Sequence, residues 1–110
     1  FGFIFESLCE HDLKIYAEYY GGKLFHYRDD KAKEVDAIIE FQDGTYGAFE
    51  IKLGVNQIDK AAEELLSFKR MMEHNGDSVP KVLCVISGMS NMAYKREDGV
   101  IVVPITALRP

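Results

Sequence analysis

Two β-type runs, Glu34 to Phe41 and Tyr46 to Leu53, are separated by only Gln42-Asp43-Gly44-Thr45, and so short a polar link containing Asp-Gly predicts a hairpin. The hairpin constrains everything around it, because its register decides which side chains share a face. A three-residue loop with Gly44 in the left-handed region pairs Phe41 with Thr45 and, counting back, Asp36 with Glu50 and Glu34 with Lys52. Val35, Ala37, Ile39, Phe41, Gly47, Phe49, Ile51 and Leu53 then make a core face, while Asp36, Ile38, Glu40, Ala48, Glu50 and Lys52 point the other way. A two-residue Asp43-Gly44 turn would mix the two sets, so the longer loop is the consistent one.

The flanking elements read as follows. Upstream, Phe5, Leu8, Cys9, Leu13, Tyr16 and Tyr20 recur at three- and four-residue steps, which predicts an amphipathic helix over residues 3–20 stopped by Gly21-Gly22. Asp12 falls inside its apolar arc, an exception to the pattern. Lys23 to Arg28 reads as a strand and residues 29–33 as a charged link. Downstream, Asn56 is the expected N-cap of a second helix with the stripe Ile58, Ala61, Ala62, Leu65, Phe68 and Met72, ending near Asn75-Gly76. Val82 to Ile86 is a continuous apolar run, expected to be a strand covered on both faces. Tyr94-Lys95-Arg96 and Val100 to Val103 flank Glu97-Asp98-Gly99 as a second hairpin, and Thr106 opens a further, incomplete segment. Helices interleaved with strands, without internal repeat or linker, predict a single α/β domain over residues 1–110: a mixed β-sheet flanked by α-helices.

Thirteen Lys and Arg against eighteen Asp and Glu give a net charge of −5, which excludes a uniformly basic nucleic-acid clamp. Contact with DNA would need a local patch, for which Lys31, Lys33, Lys60, Lys95 and Arg96 are the candidates. Cys9 and Cys84 are too few for a disulfide framework or a four-thiolate zinc site, and point to a reducing, cytoplasmic setting. No apolar stretch approaches the roughly 20 residues of a membrane helix. His11, His26 and His74 lack the spacing of a zinc site. No GxxxxGK[ST] occurs, so ATP is not expected to bind here. The apolar pattern is already running at Phe1, as expected of part of a longer protein. Oligomeric state has no signature in the chain.

The residues that point to chemistry are Asp36 and the triplet Glu50-Ile51-Lys52, with Glu6 upstream. As a bare pattern, charges on a solvated hairpin face are the commoner reading. Here, however, Glu50 and Lys52 alternate with Phe49 and Ile51 in a strand that reads as central, and a helix opens just after Gly54. Two acids on adjacent strands make a hard-oxygen site suited to Mg²⁺ or Mn²⁺, and a lysine beside them can position water or stabilise charge on a phosphate. The opening of the second helix, with its free N–H groups, is a second phosphate locus.

The segments Gly2-Phe3-Ile4-Phe5-Glu6, His26-Tyr27-Arg28-Asp29, Glu34 to Glu40, Gly47 to Gly54 and Asn56-Gln57-Ile58 resemble the C-terminal domain of prokaryotic AAA-type ATP-binding proteins. That domain is similar to the PD-(D/E)XK nuclease superfamily. The resemblance covers almost the whole chain and is most specific around Glu50-Ile51-Lys52. It implies a restriction-endonuclease-like fold, with Asp36 and Glu50 as the paired acids, Lys52 as the catalytic lysine and Glu6 as the helix-borne acid. Glu6, Asp36 and Glu50 would hold the metal, and Gln57 would contact substrate. Val35 stands where the signature proline would be, a departure that leaves the ligand positions intact. The function expected is a Mg²⁺- or Mn²⁺-dependent DNA endonuclease domain attached to an ATPase domain. The alternative is an inactive domain of the same fold that docks DNA or a partner protein onto the ATPase, and a third reading is a purely structural or oligomerising domain.

Overall fold

The computed structural model describes residues 11, 13–15, 17–18, 21–28, 34–88 and 92–105 of the chain. The described helical residues between 11 and 18 belong to α1. Strands β1 (Lys23–Arg28), β2 (Glu34–Glu40) and β3 (Tyr46–Lys52) are antiparallel neighbours. A 3-10 turn at Val55–Gln57 and helix α2 (Ile58–Asn75) then return the chain to β4 (Val82–Ser87), parallel to β3. Strands β5 (Tyr94–Lys95) and β6 (Ile101–Pro104) complete a six-stranded mixed sheet in the order β1-β2-β3-β4-β6-β5, with β6 parallel to β4. The fold is therefore α/β, with helices on the sheet.

Both hairpins are built by the same local chemistry. Phe41 N–H donates to Thr45 O (2.8 Å) and Gly44 N–H to Phe41 O (3.1 Å), with Gly44 at φ 87°. In the second hairpin Arg96 N–H donates to Val100 O (2.8 Å) and Gly99 N–H to Arg96 O (3.0 Å), with Gly99 at φ 91°. The middle residue is Asp in each. Asp43 Oδ1 accepts from the Thr45 hydroxyl (2.6 Å) and N–H (3.0 Å), bonds that hold its carboxyl below the usual range, and Asp98 Oδ1 accepts from Val100 N–H (3.0 Å). The β2–β3 register runs from Ala37–Phe49 to Glu40–Tyr46, as the three-residue loop requires.

The paired positions stop at Ala37–Phe49, so neither the expected Asp36–Glu50 pair nor the expected Glu34–Lys52 pair is part of the ladder. The cause lies on the other side of β2. Phe25 pairs with Ile38 but Tyr27 with Val35, so one extra β2 residue is accommodated opposite β1. This bulge turns Val35 over: it packs with α2, not on the Ala37 and Ile39 side where alternation placed it. Nor is the face carrying Glu50 left to solvent. Ala48 and Glu50, 3% exposed, are buried beneath α2.

The sheet thus has a core on each face. Leu13 and Ala17 of α1 pack with Ala37, Ile39, Phe49 and Ile51 on one face. On the other, the whole predicted α2 stripe, Ile58, Ala61, Ala62, Leu65, Phe68 and Met72, packs on Ala48, Leu83, Val85 and Val102. Strand β4 is buried on both sides, as its unbroken apolar run requires. Beyond α2, Phe25, Ile38, Glu40, Tyr46, Phe68 and Met72 line an open cavity of about 240 Å³.

Asn56 is not the N-cap that the sequence suggests. The 3-10 turn intervenes, Gln57 occupies the N-cap position of α2, and its Oε1 accepts from Gly54 N–H (3.2 Å). The C-terminus of α2 is as expected. Gly76 sits at φ 74°, with Gly76 N–H donating to Glu73 O (3.2 Å) and Asp77 N–H to Met72 O (2.9 Å). A Cβ at Gly76 would meet nothing within 4 Å, so Gly76→Ala isolates the left-handed backbone strain. It is expected to lower stability by about 1 kcal/mol in urea unfolding. Gly21→Ala is expected to cost more, since its Cβ would also run into the Gln42 side chain. The expected extent of α1 over residues 3–20, Asp12, the link at 29–33 and the segment from Thr106 lie outside the described residues.

Candidate functional site

The candidate site lies where β3 and β4 end and β2 begins, so antiparallel β2 brings its first residues to the carboxyl ends of two parallel strands. Crevices for ligands form at such strand ends in open α/β sheets. Alternation along β3 puts Ala48, Glu50 and Lys52 on the α2 side. Glu50 is buried there with only 3% of its surface exposed, whereas Lys52 keeps 27% of its side chain in contact with solvent. Lys52 Nζ lies 3.8 Å from Glu50 Oε2.

Asp36 reaches the same place from β2. Just beyond the last ladder pair, its Oδ2 accepts the backbone N–H of Ile51 (2.8 Å), and its carboxyl is hydrogen bonded to that of Glu50. A hydrogen bond between two carboxyl groups requires a proton on one of them, and burial keeps it on Glu50. Glu50 is pushed from its ordinary value of 4.5 up to about 9, first by desolvation, then by the charge of Asp36 and their mutual hydrogen bond. Lys52 opposes the shift; Glu64 adds to it.

This linkage has a sign that can be measured. Because the folded state holds a proton on Glu50 that the unfolded chain releases near 4.5, the associated stability is fully present below that pH. It is lost as pH rises through about 9. In EDTA, melting temperature is expected to fall across this window, as calorimetric scans at successive pH values would record. The Glu50→Gln variant should lack this component.

The structure brings Asp36, Glu50 and Lys52 together as the sequence suggests, and adds Glu64. That residue sits on α2, half-buried, one position before Leu65 in the apolar stripe. Its place at the border of that stripe was the available signal. Gln57 is exposed before α2, with its side-chain oxygen engaged by Gly54. Glu6 lies outside the described residues. Two carboxyl groups held against each other in a buried site are the donor type that suits Mg²⁺ or Mn²⁺. Among the described residues no group of three or more His, Cys, Asp or Glu side chains converges as a metal site.

The remaining sequence candidates are dispersed. Arg96 is bound to Asp59 (2.6 Å) and Asp98 (3.2 Å), and so ties the second hairpin to the start of α2. Lys60, Lys95, His11 and His74 are exposed; Lys31, Lys33, Cys9 and the side chain of His26 lie outside the described residues. Cys84 is a free buried thiol, pushed up to about 12 by burial, which makes it a packing residue and not a nucleophile. Among the described residues no helix is long and apolar enough to cross a membrane.

A family model described as a domain of unknown function, DUF4143, matches residues 1–108, and the chain belongs to that family. No curated protein and no solved structure matches it.

Proposed function

We propose that this DUF4143 domain is a metal-dependent DNA endonuclease domain with a restriction-endonuclease-like fold of the PD-(D/E)XK type, working with an AAA-type ATPase domain in the cytoplasm. The observation that carries the reading is the buried Glu50 carboxyl, hydrogen bonded to Asp36 with the Lys52 ammonium 3.8 Å away, at the open ends of β3 and β4. Burying a carboxyl against another carboxyl costs stability, and such arrangements concentrate at functional sites. Three antiparallel strands, a helix, and a fourth strand parallel to the third also accord with that fold.

Asp36 and Glu50, with Glu6, would hold Mg²⁺ or Mn²⁺. When bound, such a cation supplies Lewis acidity to the phosphate and lowers the pKa of a coordinated water. Asp36 is oriented for its part by the Ile51 N–H, which leaves its carboxyl turned toward Glu50. Lys52, tethered electrostatically to Glu50 yet partly exposed, is placed to hold negative charge building on phosphate oxygens or to move a proton at the attacking water. Gln57, its oxygen fixed by Gly54, retains its amide N–H groups for a phosphate oxygen.

The net charge of −5 favours a second reading, in which the acid pair persists in a domain that docks DNA or a partner protein onto the ATPase. Calorimetric titration of Mn²⁺ into wild type and Asp36→Ala, followed by incubation with supercoiled, linear and branched DNA, separates the two. Nicking and metal binding that both disappear in the variant are expected. DNA binding that persists without metal and survives the substitution would instead establish the docking role.

A further inference from the structure

The α2 side of the sheet is covered unevenly. Helix α2 lies over β3 and β4, and beside it the open cavity of about 240 Å³ is lined by Phe25, Ile38, Glu40, Tyr46, Phe68 and Met72. Phe68 and Met72 are buried and form its floor, whereas Phe25, 47% exposed, and Glu40 stand at its rim. Register gathers these groups: Ile38 and Glu40 alternate onto one face of β2, Phe25 is the β1 partner of Ile38, and Tyr46 is the β3 partner of Glu40. The Tyr46 hydroxyl donates to the Ser78 carbonyl, which fixes its ring at the cavity wall. The Glu40 carboxylate, by contrast, makes no ion pair or side-chain hydrogen bond among the described residues, not even with Lys23 across from it on β1.

Three aromatic rings and one carboxylate make a lining suited to a cation on an apolar stem. Ring faces attract a cation through their quadrupole, and the carboxylate attracts it directly. A guanidinium serves both, because it stacks flat on a ring and offers two parallel N–H groups to a carboxylate. The net charge of −5 favours a partner of that sign. Two observations point to a side chain carried on a peptide and not to a free molecule. The cavity is open, and smaller than the roughly 300–1,000 Å³ of pockets that enclose a small ligand. It also adjoins β1, the terminal strand of the sheet, whose outer backbone groups pair with no strand among the described residues. An extended segment added along such an edge presents alternate side chains to one face of the sheet.

We infer that this cavity is a docking site for an arginine side chain of a partner protein, carried on an extended segment that pairs with the outer edge of β1. The guanidinium pairs with Glu40 and stacks on the aromatic lining, and its stem lies on the apolar floor. Glu40 ends β2 whereas Asp36 lies near its start, about 13 Å away along the strand, so the docking site stands apart from the acid pair and from the nuclease reading.

The test titrates the peptide acetyl-Thr-Val-Arg-Val-Thr-amide into the isotope-labelled protein and follows backbone amide shifts by NMR. The same peptide with neutral citrulline in place of arginine, and free acetyl-arginine amide, are titrated beside it. Shifts centred on Phe25, Glu40 and Tyr46, and slowed amide exchange along β1, are expected with the arginine peptide. Its affinity should exceed that of the citrulline peptide about tenfold. Glu40→Gln and Phe25→Ala alter exposed side chains, so each should weaken the arginine peptide several-fold while melting temperature in its absence stays near that of wild type. Absence of binding, equal binding of the two peptides, or binding that both variants leave intact would overturn the inference. Free acetyl-arginine amide binding as tightly as the peptide would overturn the role of β1 and make the cavity a site for small cations.

Discussion

Replacing Glu50 with glutamine is expected to strengthen the metal-free fold while abolishing its response to metal. The glutamine amide can donate to Asp36 as the protonated carboxyl does, and it brings no charge to bury. At pH 7 the wild-type site holds a proton that the unfolded chain releases, a cost the variant avoids. With a carboxyl raised from 4.5 to about 9, the gain is on the order of 1–3 kcal/mol in EDTA. For a domain of this size that is a rise of several degrees in melting temperature. Saturating Mn²⁺ acts in the opposite sense. At a hundredfold excess over Kd it should stabilise wild type by about 2.7 kcal/mol and leave Glu50→Gln unmoved, with DNA cleavage lost in the variant. Differential scanning fluorimetry in EDTA and in Mn²⁺ reads both effects. A variant less stable than wild type in EDTA, yet still shifted by Mn²⁺, would mean that the acid pair is not the metal site.

Phe68→Ala is expected to cost the fold most among single truncations, about 3–5 kcal/mol. Its ring is 1% exposed in the core between α2 and the sheet, so its removal forfeits the transfer energy of the ring and leaves a cavity. Against a total of roughly 5–15 kcal/mol for a domain, that loss approaches unfolding. Urea titration should show the midpoint falling with little change in slope. A loss under about 1 kcal/mol would mean that α2 is not seated as described. The consequence reaches the site, because α2 is the element that covers Glu50 and brings Glu64 within range of it.

Much of the architecture was readable because it is written in short-range terms. The loops Gln42-Asp43-Gly44 and Glu97-Asp98-Gly99 each place Asp before a left-handed glycine, and both form the expected hairpins. The α2 stripe and its Gly76 stop depend on 3.6-residue periodicity and one backbone conformation, both visible in a single chain. The start of α2 is not legible in the same terms: Asn56 has the chemistry of a cap, but a 3-10 turn at Val55–Gln57 puts the helix start at Ile58. Val35 faces the other side from the one alternation predicts, because strict alternation does not anticipate an extra residue accommodated against β1.

At the site, the sequence by itself determined that Glu50 and Lys52 would share one side of β3, since alternation of side chains is a local rule, whereas Asp36 reaches them from the bulged start of β2, beyond the last pair of the ladder. Only the tertiary structure decided that this side would be roofed by α2, and so turned Glu50 from a surface charge into a buried carboxyl pushed up to about 9. The same packing set Glu64 near Glu50. Desolvation and the approach of side chains from separate elements depend on what covers a face, and that is a property of the assembled layers, which no stretch of the chain carries alone.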